Sequence, residues 1–218
     1  MRIFNKTTSN ERGYTMIEVL LYISILGVLG IVLTNYAYRG FTRYRTGRVA
    51  QQILELKRAI LQYTAVYDNY LPLNIEDMHT KRALPLDMRY STTEARHALG
   101  GAVTLGPASE LSYATASTDN NYMFYITFHT MKKSSCVEIL TQGQFYSDGG
   151  DLDSVLVSTG SGTSETTPTY FYYEHSFFAY QNLTKSANNK IERNRLTVEQ
   201  AERACSDLTQ NNVTWIFS

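Results

Sequence analysis

Cysteine, histidine and excess charge of either sign are all scarce in this 218-residue chain. The two cysteines, Cys136 and Cys205, are too few for a disulfide framework or for a zinc site built from cysteines alone. The four histidines, His79, His97, His129 and His175, are scattered and fall in no metal or nucleophile motif. Neither a phosphate-cradling glycine loop nor G-x-S-x-G is present. These absences leave no constellation for an enzyme and call for no cofactor. Twenty basic and 20 acidic residues give zero net charge, which argues against a nucleic-acid binder working by bulk electrostatics. With four prolines and 13 glycines the chain is neither fibrous nor low in complexity. At 43% hydrophobic it is too apolar for disorder and can bury one good core. One tryptophan stands against 17 tyrosines, an aromatic usage that suits a sheet.

Charge is also missing locally. No charged residue occurs from Val19 to Tyr38. Twenty helical residues at about 1.5 Å each match a hydrocarbon core of about 30 Å, so this run reads as a membrane span. Thr34-Asn35-Tyr36-Ala37-Tyr38-Arg39 follows it and offers no A-x-A cleavage site for a secretory signal. Glu18, just inside the apolar run, is the anomaly. A carboxylate there costs several kcal/mol unless it is paired, neutralised or held at the headgroup boundary. Cleavage after Gly13 would create an amine on Tyr14, and Glu18 could pair with that amine of another copy.

Arg12-Gly13-Tyr14-Thr15-Met16-Ile17-Glu18, followed at once by the apolar helix, resembles the processing motif of type IV prepilins. That family usually has Phe or Met where Tyr14 stands and Leu where Met16 stands. The resemblance implies removal of leader 1–13 by a prepilin peptidase, N-methylation of Tyr14, and a role for Glu18 in registering subunits. Removing 13 of 218 residues leaves 205. The leader carries Arg2, Lys6, Arg12 and Glu11, so the mature chain would hold a net charge of about −2. Arg2, Lys6 and Arg12 precede the span, while Arg39, Arg43, Arg45 and Arg48 follow it, so counting basic residues leaves orientation undecided. The resemblance implies that the carboxyl-terminal part lies outside: an inner-membrane precursor with a periplasmic head, then an extracellular fibre. The four arginines read as a solvated basic collar or as a grip on phospholipid headgroups.

Val49, Ile53, Leu56, Ile60, Tyr63 and Tyr67 recur at helical spacing, so one helix is expected from about Tyr14 to Asp68. Its halves are 14–38 for the membrane and polymerisation and 39–68 amphipathic. Gly40 and Gly47, between the span and the stripe, allow a bend, or stretching in a fibre. From 69 to 218 a globular α+β head is expected. Ser91 and Glu94 form a capping-box pair for a short helix ending at Gly100-Gly101. Ala102–Leu105, Leu111–Ala116 and Tyr122–Phe128 read as strands, and Ser134-Ser135 cap a helix from Cys136 to Gln142. A strand at Ser154–Ser158 precedes a polar loop over 159–165. Tyr170–Tyr180 reads as a strand pair or one long strand. Thr197 with Gln200 caps a last helix to Cys205, and Val213–Phe217 closes the fold.

An exported head lies in an oxidising compartment, which pairs Cys136 with Cys205; two buried free thiols are the alternative. The runs at Gly100–Leu105, Tyr122–Thr127 and Ser134–Glu138, with the late Cys205, are similar to type IVb pilins. That likeness implies that 136–205 brackets a variable, outward-facing region. Asp148, Asp151 and Asp153 offer a weak calcium reading, but their spacing misses the EF-hand and a polar turn fits better. The fold expected is therefore α+β: a long N-terminal helix packed on an antiparallel sheet head with one disulfide. The function expected is a homopolymeric structural subunit of a type IV pilus, used for adhesion, aggregation or conjugation. Its partners would be the peptidase, the assembly machinery with minor pilins, and the membrane. A minor pilin, a secretion pseudopilin or a membrane-anchored periplasmic binding module are the rivals.

Overall fold

A computed structural model describes residues 15–65, 70, 72–111, 122–142, 152–159, 169–174, 177–182, 185–191, 196–207 and 210–218, with the backbone alone described between 169 and 191. The chain divides into two compact units, Met1–Phe41 and Thr42–Ser218. Helix α1, Met16–Thr64, runs through both and passes Gly40 and Gly47 without a break. Tyr14 and residues 66–69, at its expected ends, lie outside the described residues.

In the second unit the expected stripe is real. Val49, Ile53, Leu56 and Ile60 are fully buried, and Thr46, Ala50, Gln52 and Thr64 complete the face. The other elements of the head are α2 (Ile75–Thr80), β1 (Ala95–Arg96), β2 (Ala102–Pro107), β3 (Phe124–Met131), α3 (Lys133–Thr141), β4 (Leu152–Thr159), β5 (Thr169–Glu174), β6 (Phe177–Asn182), β7 (Lys185–Ile191), α4 (Val198–Ala204) and β8 (Asn211–Phe217). The strands form one antiparallel sheet in the order β1-β2-β3-β8-β4-β5-β6-β7. The C-terminal strand is thus central, and all seven of its residues are buried.

Alternation along the central strands separates two faces. Phe124, Ile126 and Phe128 of β3, Val155 and Val157 of β4, and Val213, Trp215 and Phe217 of β8 share one core with the α1 stripe. The intervening Leu156 and Ile216 pack instead with Ala108, and Leu111, Met123 and Tyr125 border that smaller cluster. On the same parity Thr127 and Thr214 join their hydroxyls across β3 and β8 at 2.7 Å. Cys136 of α3 and Cys205, which ends α4, are joined by a disulfide, and the chain between them carries β4 to β7.

Several local expectations are corrected. The Ser91–Glu94 pair opens no helix: the Glu94 carbonyl accepts from the amides of Tyr90 and Ser91, closing a turn. The Glu94 carboxylate pairs with Arg96 rather than capping, and Ala95 and Arg96 become β1 against β2. Strand pairing of a buried Ala95 outweighs a cap that could serve only a few residues. Helix α3 starts at Lys133, before the expected Ser134-Ser135 cap; no side chain caps it, and the buried Ser135 hydroxyl accepts instead from Thr46 of α1 at 3.2 Å. Leu111 follows a short 3-10 turn, Ala108–Glu110, and is not in a strand; residues 112–116 of that expected strand lie outside the described residues, as do 160–165 of the polar loop. Tyr170–Tyr180 resolves into two strands, β5 and β6, paired from Thr169↔Asn182 to Glu174↔Phe177.

Candidate functional site

The first unit holds the N-terminal part of α1. Its large apolar side chains, from Met16, Ile17 and Val19 through Leu33, Tyr36, Tyr38 and Phe41, are all exposed. The helix is long and apolar enough to cross a membrane, and its most apolar window is wholly unburied. A surface of that kind is soluble only in lipid or against other helices. Three of its polar side chains bond back to carbonyls of the helix itself, as suits a low-dielectric medium. Ser24 donates to the Leu21 carbonyl at 2.8 Å, Thr34 to Gly30 at 2.8 Å and Asn35 to Ile31 at 3.1 Å. Glu18 stands in the first turn, where a carboxylate favours the positive end of the helix dipole. It is the only acidic residue between Glu11 and Glu55. Gly13 and Tyr14 lie outside the described residues.

In the second unit α1 is fastened to the head by a polar cluster that pattern reasoning missed. Gln52 occupies a buried position on the stripe. Its Nε2 donates to Asp87 at 2.8 Å, and its Oε1 accepts from the Ala98 amide at 2.9 Å. Arg48 donates to Asp87 at 3.0 Å through Nε and pairs with Glu55 at 2.9 Å, and the bonds to both carboxylates hold its guanidinium pKa above the ordinary value. The available signal was a polar residue on an otherwise apolar helical face, which demands partners when buried. Farther along, Tyr63 donates to Asp77 of α2, and Lys81 pairs with the same carboxylate at 2.9 Å. Those two bonds, the tyrosine's first, depress the Asp77 pKa.

His97 lies under the turn that supplies the Ala98 amide. Its ring is buried and stacked on Phe128 with centroids 5.2 Å apart. The Leu99 N–H donates to Nδ1 at 3.2 Å, so the ring proton sits on Nε2, which donates to the His129 carbonyl at 2.8 Å. Both nitrogens are thus satisfied only in the neutral form. Burial pushes the pKa down; the bond to the His129 carbonyl opposes this, and the nearby His129 ring adds a further lowering. The folded value therefore lies below the unfolded one of about 6.5. Stability is fully present above that value and is lost as pH falls through the folded pKa. Asp77, depressed from the ordinary aspartate range, acts the same way but in a separate window near and below pH ~4. We expect the thermal midpoint of the full chain in micelles to fall between about pH 7.5 and pH 5. His97→Gln should flatten that fall; an unchanged slope in the variant would assign it elsewhere.

The weak calcium reading rests on one described residue. Burial raises the Asp153 pKa, which favours the neutral acid over a cation-binding carboxylate; Asp148 and Asp151 lie outside the described residues. Among the described residues no three His, Cys, Asp or Glu side chains converge on a metal-sized site.

Compared with known proteins, residues 8–34 match the prokaryotic N-terminal methylation motif. That segment includes Gly13, Tyr14, Glu18 and the apolar run as far as Thr34. No curated protein matches the chain. Among solved structures it is similar to TcpA, a type IV pilin from Vibrio cholerae El Tor biotype, at 14% identity over 80% of this chain and 99% of that one, with a TM-score of 0.44. A likeness of that size carries no argument about function.

Proposed function

We propose that this chain is a structural subunit of a type IV pilus, of the IVb class, which polymerises through the N-terminal part of α1 into a surface fibre. The observation that carries this is the coincidence of a methylation motif at 8–34 with a helix whose apolar side chains are exposed from Met16 onward. A prepilin peptidase cuts between Gly13 and Tyr14, and Tyr14 is N-methylated. The precursor waits in the inner membrane with its head in the periplasm. In the fibre the apolar helices bury one another, and burial of about 25 cal/mol per Å2 supplies the cohesion. Glu18 meets the Tyr14 amine of a neighbour, so a carboxylate that is costly alone becomes a register mark. The Cys136–Cys205 bond, enclosing β4 to β7, supports an outward-facing bracketed region and with it the subclass. Adhesion, aggregation or conjugation are the uses such a fibre would serve.

Sheared cell-surface material tests this directly. The chain should be its dominant protein and should disappear from it when the prepilin peptidase is removed. Presence at trace copy number would assign a minor subunit instead. Retention of the chain in the membrane fraction alone would overturn the fibre.

A further inference from the structure

Along the N-terminal part of α1, Glu18, Tyr22, Ile25, Leu29 and Val32 recur at helical spacing and share one face. Glu18 and Tyr22 are both exposed on it. Ser24, Thr34 and Asn35 fall on other faces and bond back to the carbonyls of Leu21, Gly30 and Ile31. Short side chains can do this. A phenol cannot, because its rigid ring carries the hydroxyl past the carbonyls of its own turn. Once helices pack around it, a tyrosine hydroxyl takes a partner from farther away.

We infer that in the fibre the Tyr22 hydroxyl of one copy donates to the Glu18 carboxylate of a neighbouring copy. The inference rests on the polymer proposed above and on its pairing of Glu18 with a Tyr14 amine. Every copy leaves the same membrane with its head at the C-terminal end of α1, so the helices pack parallel. Setting Glu18 of one copy level with Tyr14 of a second offsets the two by four residues, or about 6 Å. The same offset sets Tyr22 of the first copy level with Glu18 of the second. Each Glu18 then receives an amine from one neighbour and a phenol from another. A carboxylate has about four lone-pair sites, and a desolvated one is tolerated only when those beyond its ion pair are also filled. The phenol fills one without adding a charge. Across copies the two side chains start level and lean the same way, toward the N-terminus. Within one chain they start a full turn apart. Above Tyr22 the offset sets Ile25, Leu29 and Val32 against Leu21, Ile25 and Val28, which are all aliphatic. Tyr22 is thus the one residue on this line that can extend the polar contact begun by Glu18.

Two measurements test this on the full chain. Tyr22→Phe removes only the hydroxyl and should be processed and inserted like wild type. Its fibre yield, per inserted protein, should reflect a roughly tenfold rise in the concentration needed for polymerisation, as for a lost hydrogen bond to a charged group. Ser24→Ala, which removes a hydroxyl from another face, should assemble normally. Wild-type yield from Tyr22→Phe, or an equal loss in Ser24→Ala, would overturn the inference. In the second, p-benzoylphenylalanine replaces Tyr22 in a copy co-expressed with wild type, and sheared fibres are irradiated. Joined pairs of chains should form, bridging position 22 of one copy to the segment around Glu18 of the other. Bridges to any other segment, or adducts within single chains alone, would also overturn it. Absence of wild-type fibres would remove the polymer and this contact together, whereas wild-type fibres indifferent to Tyr22→Phe would remove this contact alone.

Discussion

Replacing Glu18 with alanine is expected to leave the chain folded, processed and membrane-inserted, yet to abolish fibres. Every residue from Met16 to Phe41 is exposed, so the stability of the second unit should not move. Insertion should become easier, because an acid at the edge of an apolar span opposes it. The loss falls on assembly. Truncating one partner of a desolvated, hydrogen-bonded charge pair costs about 2–5 kcal/mol. At about 1.4 kcal/mol per tenfold, the concentration needed for polymerisation rises at least thirtyfold or so. The left-behind Tyr14 amine adds to this, since it too would be buried without a partner. Glu18→Gln keeps the shape and a hydrogen bond but not the charge, and should assemble poorly. Sheared-fibre yield, normalised to membrane-inserted protein, is the readout. Wild-type yield from the alanine variant would remove the pairing from the account.

Within the head the largest single-site loss is expected at Gly101. A Cβ there would overlap the His129 carbonyl, Thr130 Oγ1 and His97 Nε2. Two of those atoms cannot yield cheaply, because the His129 carbonyl belongs to β3 and the His97 ring is locked between Phe128 and the 97–101 turn. Gly101→Val therefore forces the turn off β3 and withdraws the Ala98 amide from Gln52, leaving a buried polar group without its partner on α1. Overpacking plus an unsatisfied amide should cost about 3 kcal/mol or more, or roughly 6–12 °C in Tm for a unit of this size. Gly100 is the control. Its φ of +92° disfavours side chains, but nothing lies within 4 Å of its missing Cβ. Gly100→Ala should cost only about 1–2 kcal/mol. Thermal unfolding of the full chain in micelles separates the two, and a Gly101→Val midpoint within a degree or two of Gly100→Ala would contradict the packing argument.

Periodicity made the helix legible. A 3.6-residue stripe is a global constraint on α1, and Val49, Ile53, Leu56 and Ile60 obey it because they all face one core. Capping patterns were less secure, since they compete with tertiary pairing. Thr197 and Gln200 form the full capping box of α4. Ser91 and Glu94 match the same pattern and lose to β1, whose Ala95 pairs with Val103. Asn74 accepts from the Asp77 amide at 2.7 Å and caps α2, a start that Asn-x-x-Asp after Leu73 could have signalled. The edge strand β7 escaped because Lys185-Ser186-Ala187-Asn188-Asn189-Lys190-Ile191 has neither alternation nor β-branched enrichment until its last residue. Its pairing with β6 is a matter of position at the sheet edge rather than of side-chain preference. The Gln52 cluster was invisible for another reason: Asp87 and Ala98 are 35 and 46 residues away in sequence, and no local pattern links them. At the other extreme, residues 12–18 with the following apolar run carried the processing motif as a short contiguous string, the easiest signal to read.

The most direct measurement is the intact mass of the chain recovered from sheared cell-surface fibres. The expected value is the mass of residues 14–218 plus one methyl group and minus two hydrogens. That single value reports cleavage after Gly13, methylation of Tyr14 and the Cys136–Cys205 bond together. A full-length mass carrying residues 1–13, found in membranes and not in the sheared material, would contradict it and leave an anchored protein in place of a fibre subunit.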